Sequence, residues 1–228
     1  MAGVSFIALW FVAWVSLTAQ PTLTPFQEQK ARALLRAQLS CLGCHELDGE
    51  GGRSAPSLST VGQRRSAAYV RAMIENPQSL LPGVAMPTPA LPAATLDLIV
   101  RFVARNAHGS DARVRGASER SSSAPEGAAL YSLWCASCHG GAGRGDGPNA
   151  PFLPVAPAMH ASAARMRERS DDALYDAIAG GGIVMGKSAR MPAFGRTLSR
   201  AEIHALVRHI RALCRCEGPA WSRPGDVR

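Results

Sequence analysis

The sequence predicts an all-α chain built as two tandem copies of one unit, preceded by an apolar N-terminal segment. Three observations carry this reading. Apolar residues recur at helical spacing on either side of the same Gly- and Pro-rich punctuation in both halves; a pentapeptide of the form Cys-x-x-Cys-His occurs twice, at 41–45 and 135–139; and residues 2–19 hold no charged side chain. The composition, 46% hydrophobic and 18% charged, excludes a disordered tail protein, and 228 residues are enough for one or two domains with cores of their own.

The segments read in order as an N-terminal piece 1–24, a first domain 25–106, a linker 107–126, a second domain 127–213 and a tail 214–228. Residues 2–19 carry only Ser5, Ser16 and Thr18 as polar groups. As a helix they would span roughly 27 Å, close to the hydrocarbon thickness of a bilayer. The segment reads as an uncleaved transmembrane anchor, with a cleaved signal peptide as the rival. Against the rival stand the absence of Lys or Arg ahead of the apolar run and Leu17, which spoils a cut after Ala19. Trp10 and Trp14 suit a buried span less well, and Lys30, Arg32 and Arg36 run against the positive-inside rule. Orientation is therefore taken from the chemistry downstream.

In the first domain, the stretch from Phe26 to His45 reads as one helix, with Ala33, Leu34, Ala37 and Leu39 at helical spacing, delivering Cys41, Cys44 and His45 at its end. A loop with Gly49, Gly51 and Gly52 leads to Ala55-Pro56-Ser57-Leu58. A short helix around Tyr69 stops at Asn76-Pro77, because the residue before proline avoids the helical region. A Pro-studded loop carries Met86-Pro87, and residues 95–106 form a last amphipathic helix. Met73, inside a helix, is expected in the core.

The second domain repeats that order: Cys135-Ala136-Ser137-Cys138-His139, a Gly-rich loop, Ala150-Pro151-Phe152-Leu153, a helix from Ser170, Met191-Pro192 and a helix from Ser199. From His to the Pro of Ala-Pro-x-Leu is 11 residues in one copy and 12 in the other, and from Tyr to the Met of Met-Pro is 17 and 16. Between the copies lies a Ser-, Gly-, Ala- and Arg-rich stretch too long for a loop inside one domain, with a root-mean-square span of roughly 25 Å if flexible.

Net charge is +8, from 23 Arg and 2 Lys against 17 acidic groups. The charge is dispersed, with 9 basic and 6 acidic groups over 22–105 and 10 and 6 over 127–213, and no like-charge run reaches five. No nucleic-acid-binding arm is expected; a mildly basic, solvated surface is.

Cys-x-x-Cys-His is the attachment pattern of c-type haem. Cysteines three apart share a helix face, so both sulfurs reach one side of a porphyrin, and the following histidine meets the iron. Chance would supply roughly 0.004 such motifs at this composition, so finding two in register decides for haem. Zinc would need four ligands in one place, whereas these motifs lie 94 residues apart, and no βαβ pattern supports a redox dithiol. The expected cofactors are thus two covalently bound haem c groups. Met86 and Met191, each held extended by the following proline, are the expected sixth ligands, with Met185 the rival in the second domain. His108, His160, His204 and His209 are expected on surfaces or helix faces. The carbonyls of Pro56 and Pro151 are candidates to accept from the other nitrogen of each ligating imidazole. Cys214 and Cys216 lack a following histidine, so a disulfide, mutual or to a partner, stands against free thiols.

On CLGCH…APSL…MP and CASCH…APFL…MP, over about residues 26–213, the chain resembles diheme class I cytochromes c. The resemblance implies two small all-α cytochrome c-like domains, each around one haem, with His45/Met86 and His139/Met191 as axial ligands. The second domain is similar to haem domains in diheme subunits of membrane oxidases, and the first to c-type domains fused to quinol-oxidising complexes and dehydrogenases. Such families attach haem outside the cytoplasmic membrane. The function this implies is electron transfer between a membrane respiratory donor and an acceptor, through redox protein partners and not as an enzyme by itself, with the haem domains facing the periplasm. The alternatives are a diheme peroxidase or thiosulfate-oxidising enzyme, which needs an iron with an open position, and a soluble periplasmic protein after signal cleavage.

Overall fold

Residues 22–105, 107 and 126–222 are described in the computed structural model of the protein. The apolar segment 2–19, His108 and nearly all of the expected linker lie outside them. Among the described residues no helix is long and apolar enough to cross a membrane.

Helix α1 (Pro25–Ala37) starts where proline suits the first helical position. Thr24 Oγ1 accepts from Gln27 N at 3.2 Å while Gln27 Oε1 accepts from Thr24 N at 3.0 Å, a reciprocal cap. It buries Ala31 and Leu35 and stops at Ala37, short of the cysteines, which lie in a tighter 3-10 turn, Ser40–Gly43, and just after it. The expected single helix through His45 is therefore two pieces. The Gly-rich loop folds as a minimal antiparallel hairpin of β1 (Glu46–Leu47) and β2 (Glu50–Gly51), because Asp48 (φ 52°) and Gly49 (φ 86°) both take the left-handed conformation of a two-residue turn. The chain is thus mostly helical rather than wholly so.

Helix α2 (Ala67–Glu75) is capped by Ser66, and α3 (Pro77–Leu80) restarts after Asn76, whose Oδ1 accepts from Ser79 N. Met73 in α2 is only half-buried and lies outside the core. Helix α4 (Ala93–Val103) turns Leu96, Ile99, Val100 and Val103 inward at helical spacing, onto Ala31, Leu35, Leu42 and Leu47.

In the second half α5 (Gly127–Trp134) and α6 (Ala136–His139) flank Cys135, and α7 (Ala163–Met166) follows a long loop. Helix α8 (Asp171–Val184) is interrupted at Gly181 (φ 75°, ψ −177°). Helix α9 (Arg200–Cys214) opens with a capping box between Ser199 and Glu202 and buries Ile203, Leu206, Val207, Ile210 and Cys214 in one stripe. These pack with Leu130, Tyr131, Leu174, Ile178 and Phe194 into a second core that shares no residue with the first. Cys214 and Cys216 are bonded to each other, which decides between the expectations for that pair.

Candidate functional site

The two Cys-x-x-Cys-His peptides adopt the same turn. In the first, the backbone N–H groups of Cys44 and His45 both donate to Cys41 O, at 3.3 and 2.9 Å; in the second, those of Cys138 and His139 donate to Cys135 O, at 3.2 and 2.9 Å. One tight turn thereby places two sulfurs and an imidazole together. None of the four cysteines is bonded, and all are half-buried. Burial pushes the Cys41 thiol up to about 11 and the Cys135 thiol up to about 12, and raises Cys44 and Cys138 as well.

Each histidine is held by a backbone carbonyl. His45 Nδ1 lies 2.7 Å from Pro56 O, as expected. His139 Nδ1 lies 2.9 Å from Ala158 O, which takes the place of the expected Pro151 carbonyl as its partner. The second loop is the longer one, and Pro151 is spent in an exposed 3-10 turn (Ala150–Phe152), so a later carbonyl reaches the ring. In both sites the carbonyl fixes the proton on Nδ1 and leaves Nε2 as a lone-pair donor. Burial lowers the proton affinity of both rings, favouring the neutral form that binds a metal.

His160 departs most from expectation. It is buried, with its Nδ1 2.9 Å from the Tyr131 hydroxyl and its ring stacked on His139 at 4.1 Å between centroids and 16° between planes. Burial, then the neighbouring His139, pushes its pKa down to about 3. Spacing offered no signal for it, since the first half has no histidine in the corresponding loop. His204 is exposed and His209 half-buried on α9.

The methionines sit on loops anchored by backbone bonds. Gln78 Nε2 donates to Val84 O at 2.7 Å and Met86 O at 3.2 Å, shaping the loop between α3 and α4. Met191 packs against the second core, and its carbonyl accepts from Gly182 N at 3.1 Å, while Met185 caps the end of α8. Both methionines are half-buried.

The donor set suits haem c. Two unbonded thiols and a carbonyl-held imidazole recur in each half. Segments of the second half also leave Val155, Ile183 and Val184 exposed, the kind of apolar surface a macrocycle covers.

Contacts also join the two halves. Asn149 Nδ2 donates to Gly43 O at 3.1 Å and Ser54 Oγ at 2.8 Å, and its Oδ1 accepts from Arg53 N at 2.9 Å. Arg53 in turn lies over the Phe152 ring, 4.4 Å from its centroid.

Residues 29–104 match the family model described as cytochrome c, and residues 122–210 match that described as cytochrome c oxidase, cbb3-type, subunit III. No curated protein and no solved structure matches the chain. The two matches fall one on each half, and cytochrome c domains carry covalently bound haem c with its iron. Such domains are as a rule extracytoplasmic.

Proposed function

We propose that this tandem c-type cytochrome passes single electrons between a membrane-bound respiratory donor and an acceptor, with His45 and Met86 holding one haem iron and His139 and Met191 the other. The observation that carries this reading is the repeated constellation of two unbonded thiols beside an imidazole whose Nδ1 is engaged by a carbonyl, at 2.7 Å in one half and 2.9 Å in the other. Haem c supplies one-electron exchange between ferric and ferrous iron.

The chain's own residues do the rest. Cys41, Cys44, Cys135 and Cys138 tether the groups; Pro56 O and Ala158 O orient the imidazoles; Gln78 and Gly182 hold the loops that present Met86 and Met191. Its place in register with Met86, each followed by proline, and the bond from Gly182 N that holds its carbonyl favour Met191 over Met185. With His45 and Met86 on one iron and His139 and Met191 on the other, no position would be open to a substrate, and the sites would suit electron exchange rather than chemistry on a bound molecule.

Residues 25–106 and 127–213 are the two haem domains, joined by 107–126 and followed by the tail 214–228. The apolar segment within 1–24 tethers them to the cytoplasmic membrane on its periplasmic side. The Cys214–Cys216 bond supports an oxidising compartment, and the match of the second half to an oxidase subunit supports a respiratory complex as partner.

The deciding experiment is optical. The oxidised holoprotein should show the far-red methionine–iron band, and the reduced holoprotein should not bind carbon monoxide promptly. Met86→Ala and Met191→Ala should each remove part of the band and admit carbon monoxide at one haem. Prompt binding by the unsubstituted protein refutes the reading in favour of an enzyme with an open iron.

A further inference from the structure

The two halves meet through the segments that carry the ligands. Asn149, in the loop after His139, is 1% exposed. Three of the hydrogen-bonding places of its amide are filled from the other half, by Gly43 O, Ser54 Oγ and Arg53 N. Gly43 lies inside the first Cys-x-x-Cys, so the amide grips the peptide between the two sulfurs of the first site. Cys138 Sγ stands 3.9 Å from that same Gly43 carbonyl. Two further bonds cross beside the methionines: Thr88 N donates to Thr197 Oγ1 at 2.9 Å, two residues after Met86, and Arg190 Nη1 donates to Leu35 O at 3.3 Å, one residue before Met191. A buried amide is costly in any arrangement that leaves its places empty, so Asn149 selects one register of the halves.

We propose that Asn149 is a positioning residue for electron exchange between the two sites: it fixes the Cys138 sulfur against the Gly43 carbonyl, so that the first haem peptide is itself the bridge to the second. The proposal rests on the reading that both halves carry haem c. One electron leaves a ferrous iron, which is oxidised, and reduces the ferric iron of the other site; no bond forms or breaks and no proton or further reactant takes part.

The test uses the holoprotein. Asn149→Ala removes the cross-seam bonds and leaves the backbone bond from Asn149 N to Ser137 O, at 2.8 Å within the second half. Gly43→Ala opens the same seam by another route, because a Cβ there would stand 2.2 Å from Arg190 O across the interface, while the Gly43 backbone is not in the left-handed region. The cores are separate and Asn149 lies outside both Cys-x-x-Cys-His peptides, so Asn149→Ala should keep both haems and their individual absorption and midpoint potentials. Stranding the partners of one buried amide lowers the docked-to-open ratio by about 5- to 160-fold (~1–3 kcal/mol at 1.36 kcal/mol per tenfold).

Hydrogen exchange at the Arg53 amide should accelerate by a factor in that range. Electron exchange between the haems of half-reduced protein, read from magnetic resonance line broadening, should slow in both variants. Asn149→Asp keeps the acceptor for Arg53 N but sets a carboxylate oxygen against Gly43 O, and should slow the exchange at least as much as Asn149→Ala. An unchanged interhaem rate despite an exposed Arg53 amide overturns the proposal, as does an Arg53 amide still protected in Asn149→Ala. Missing haem or prompt carbon monoxide binding in the unsubstituted protein would instead overturn the proposed function, and is read separately.

Discussion

Replacing Gly181 with alanine probes how the second half presents Met191. Gly181 combines φ 75° with ψ −177°, a region held almost only by glycine, where another residue costs of order 1–3 kcal/mol. That conformation breaks α8 so that Ile178 O and Ala179 O can accept from Phe194 N and Gly195 N, both at 3.0 Å, drawing the segment after Met191 against the helix. An added Cβ would stand 2.8 Å from Ala193 N and 2.9 Å from Met191 O, both backbone atoms, so the loop must retreat. Retreat breaks the bond from Gly182 N to Met191 O, a further ~0.5–1.5 kcal/mol. The total of ~1.5–4.5 kcal/mol is below the stability of an ordinary domain, so the half still folds but melts about 6–36 °C lower. The assay is thermal unfolding together with the methionine–iron band and carbon monoxide uptake; the expected result is loss of about half the band, with carbon monoxide binding at one haem per chain, the stoichiometry of a single disturbed site. Gly186→Ala is the control: φ is 62° but no heavy atom lies within 4 Å of the added carbon, so only the backbone cost of ~1 kcal/mol applies and the band should stay whole. Refutation would be a Gly181→Ala protein with intact band and melting temperature, or a Gly186→Ala protein that loses the band equally.

Other perturbations test separate parts of the chain. Arg211, whose side chain is 13% exposed, donates from Nε to Asp171 Oδ1 at 2.7 Å, from Nη1 to Met166 O at 2.8 Å and from Nη2 to Arg169 O at 2.5 Å. Arg211→Met leaves two carbonyls without those donors and should cost about 2–4 kcal/mol in urea unfolding; a loss under ~0.5 kcal/mol would show that water replaces them. Replacing Cys214 and Cys216 with serine removes a link across only one intervening residue, so chain entropy accounts for about 1.5 kcal/mol, and both haem spectra should survive. With a net charge of +8, association with an acidic redox partner should slow steeply as ionic strength rises, checked by stopped-flow; a flat response removes electrostatic steering.

The repeated motifs were legible because they are linear. Two Cys-x-x-Cys-His peptides, two Ala-Pro turns and two Met-Pro loops stand at nearly equal offsets, and periodicity found the closing helices α4 and α9. Local tightening was harder to read: periodicity does not say that α1 yields to a 3-10 turn before Cys41, since apolar spacing over so few residues fits both. The Pro151 expectation failed because a carbonyl's position depends on the path of the whole loop, and Ala150–Phe152 spends residues turning. His160 and Asn149 were invisible for a shared reason. Each is polar, unrepeated in the other half and important only through partners distant along the chain: Tyr131 for the one, Gly43 and Arg53 for the other.

The placement of Gly43 and Cys138 at one seam bears on biogenesis. Porphyrin can be joined to Cys138 only where its sulfur can be reached, and the closed seam sets the Gly43 carbonyl against that sulfur and the Asn149 amide against that carbonyl. The order this predicts is cofactor loading first and closure last. Chains caught with a single porphyrin should still show an unprotected Arg53 amide, which mass-resolved exchange on nascent material can detect.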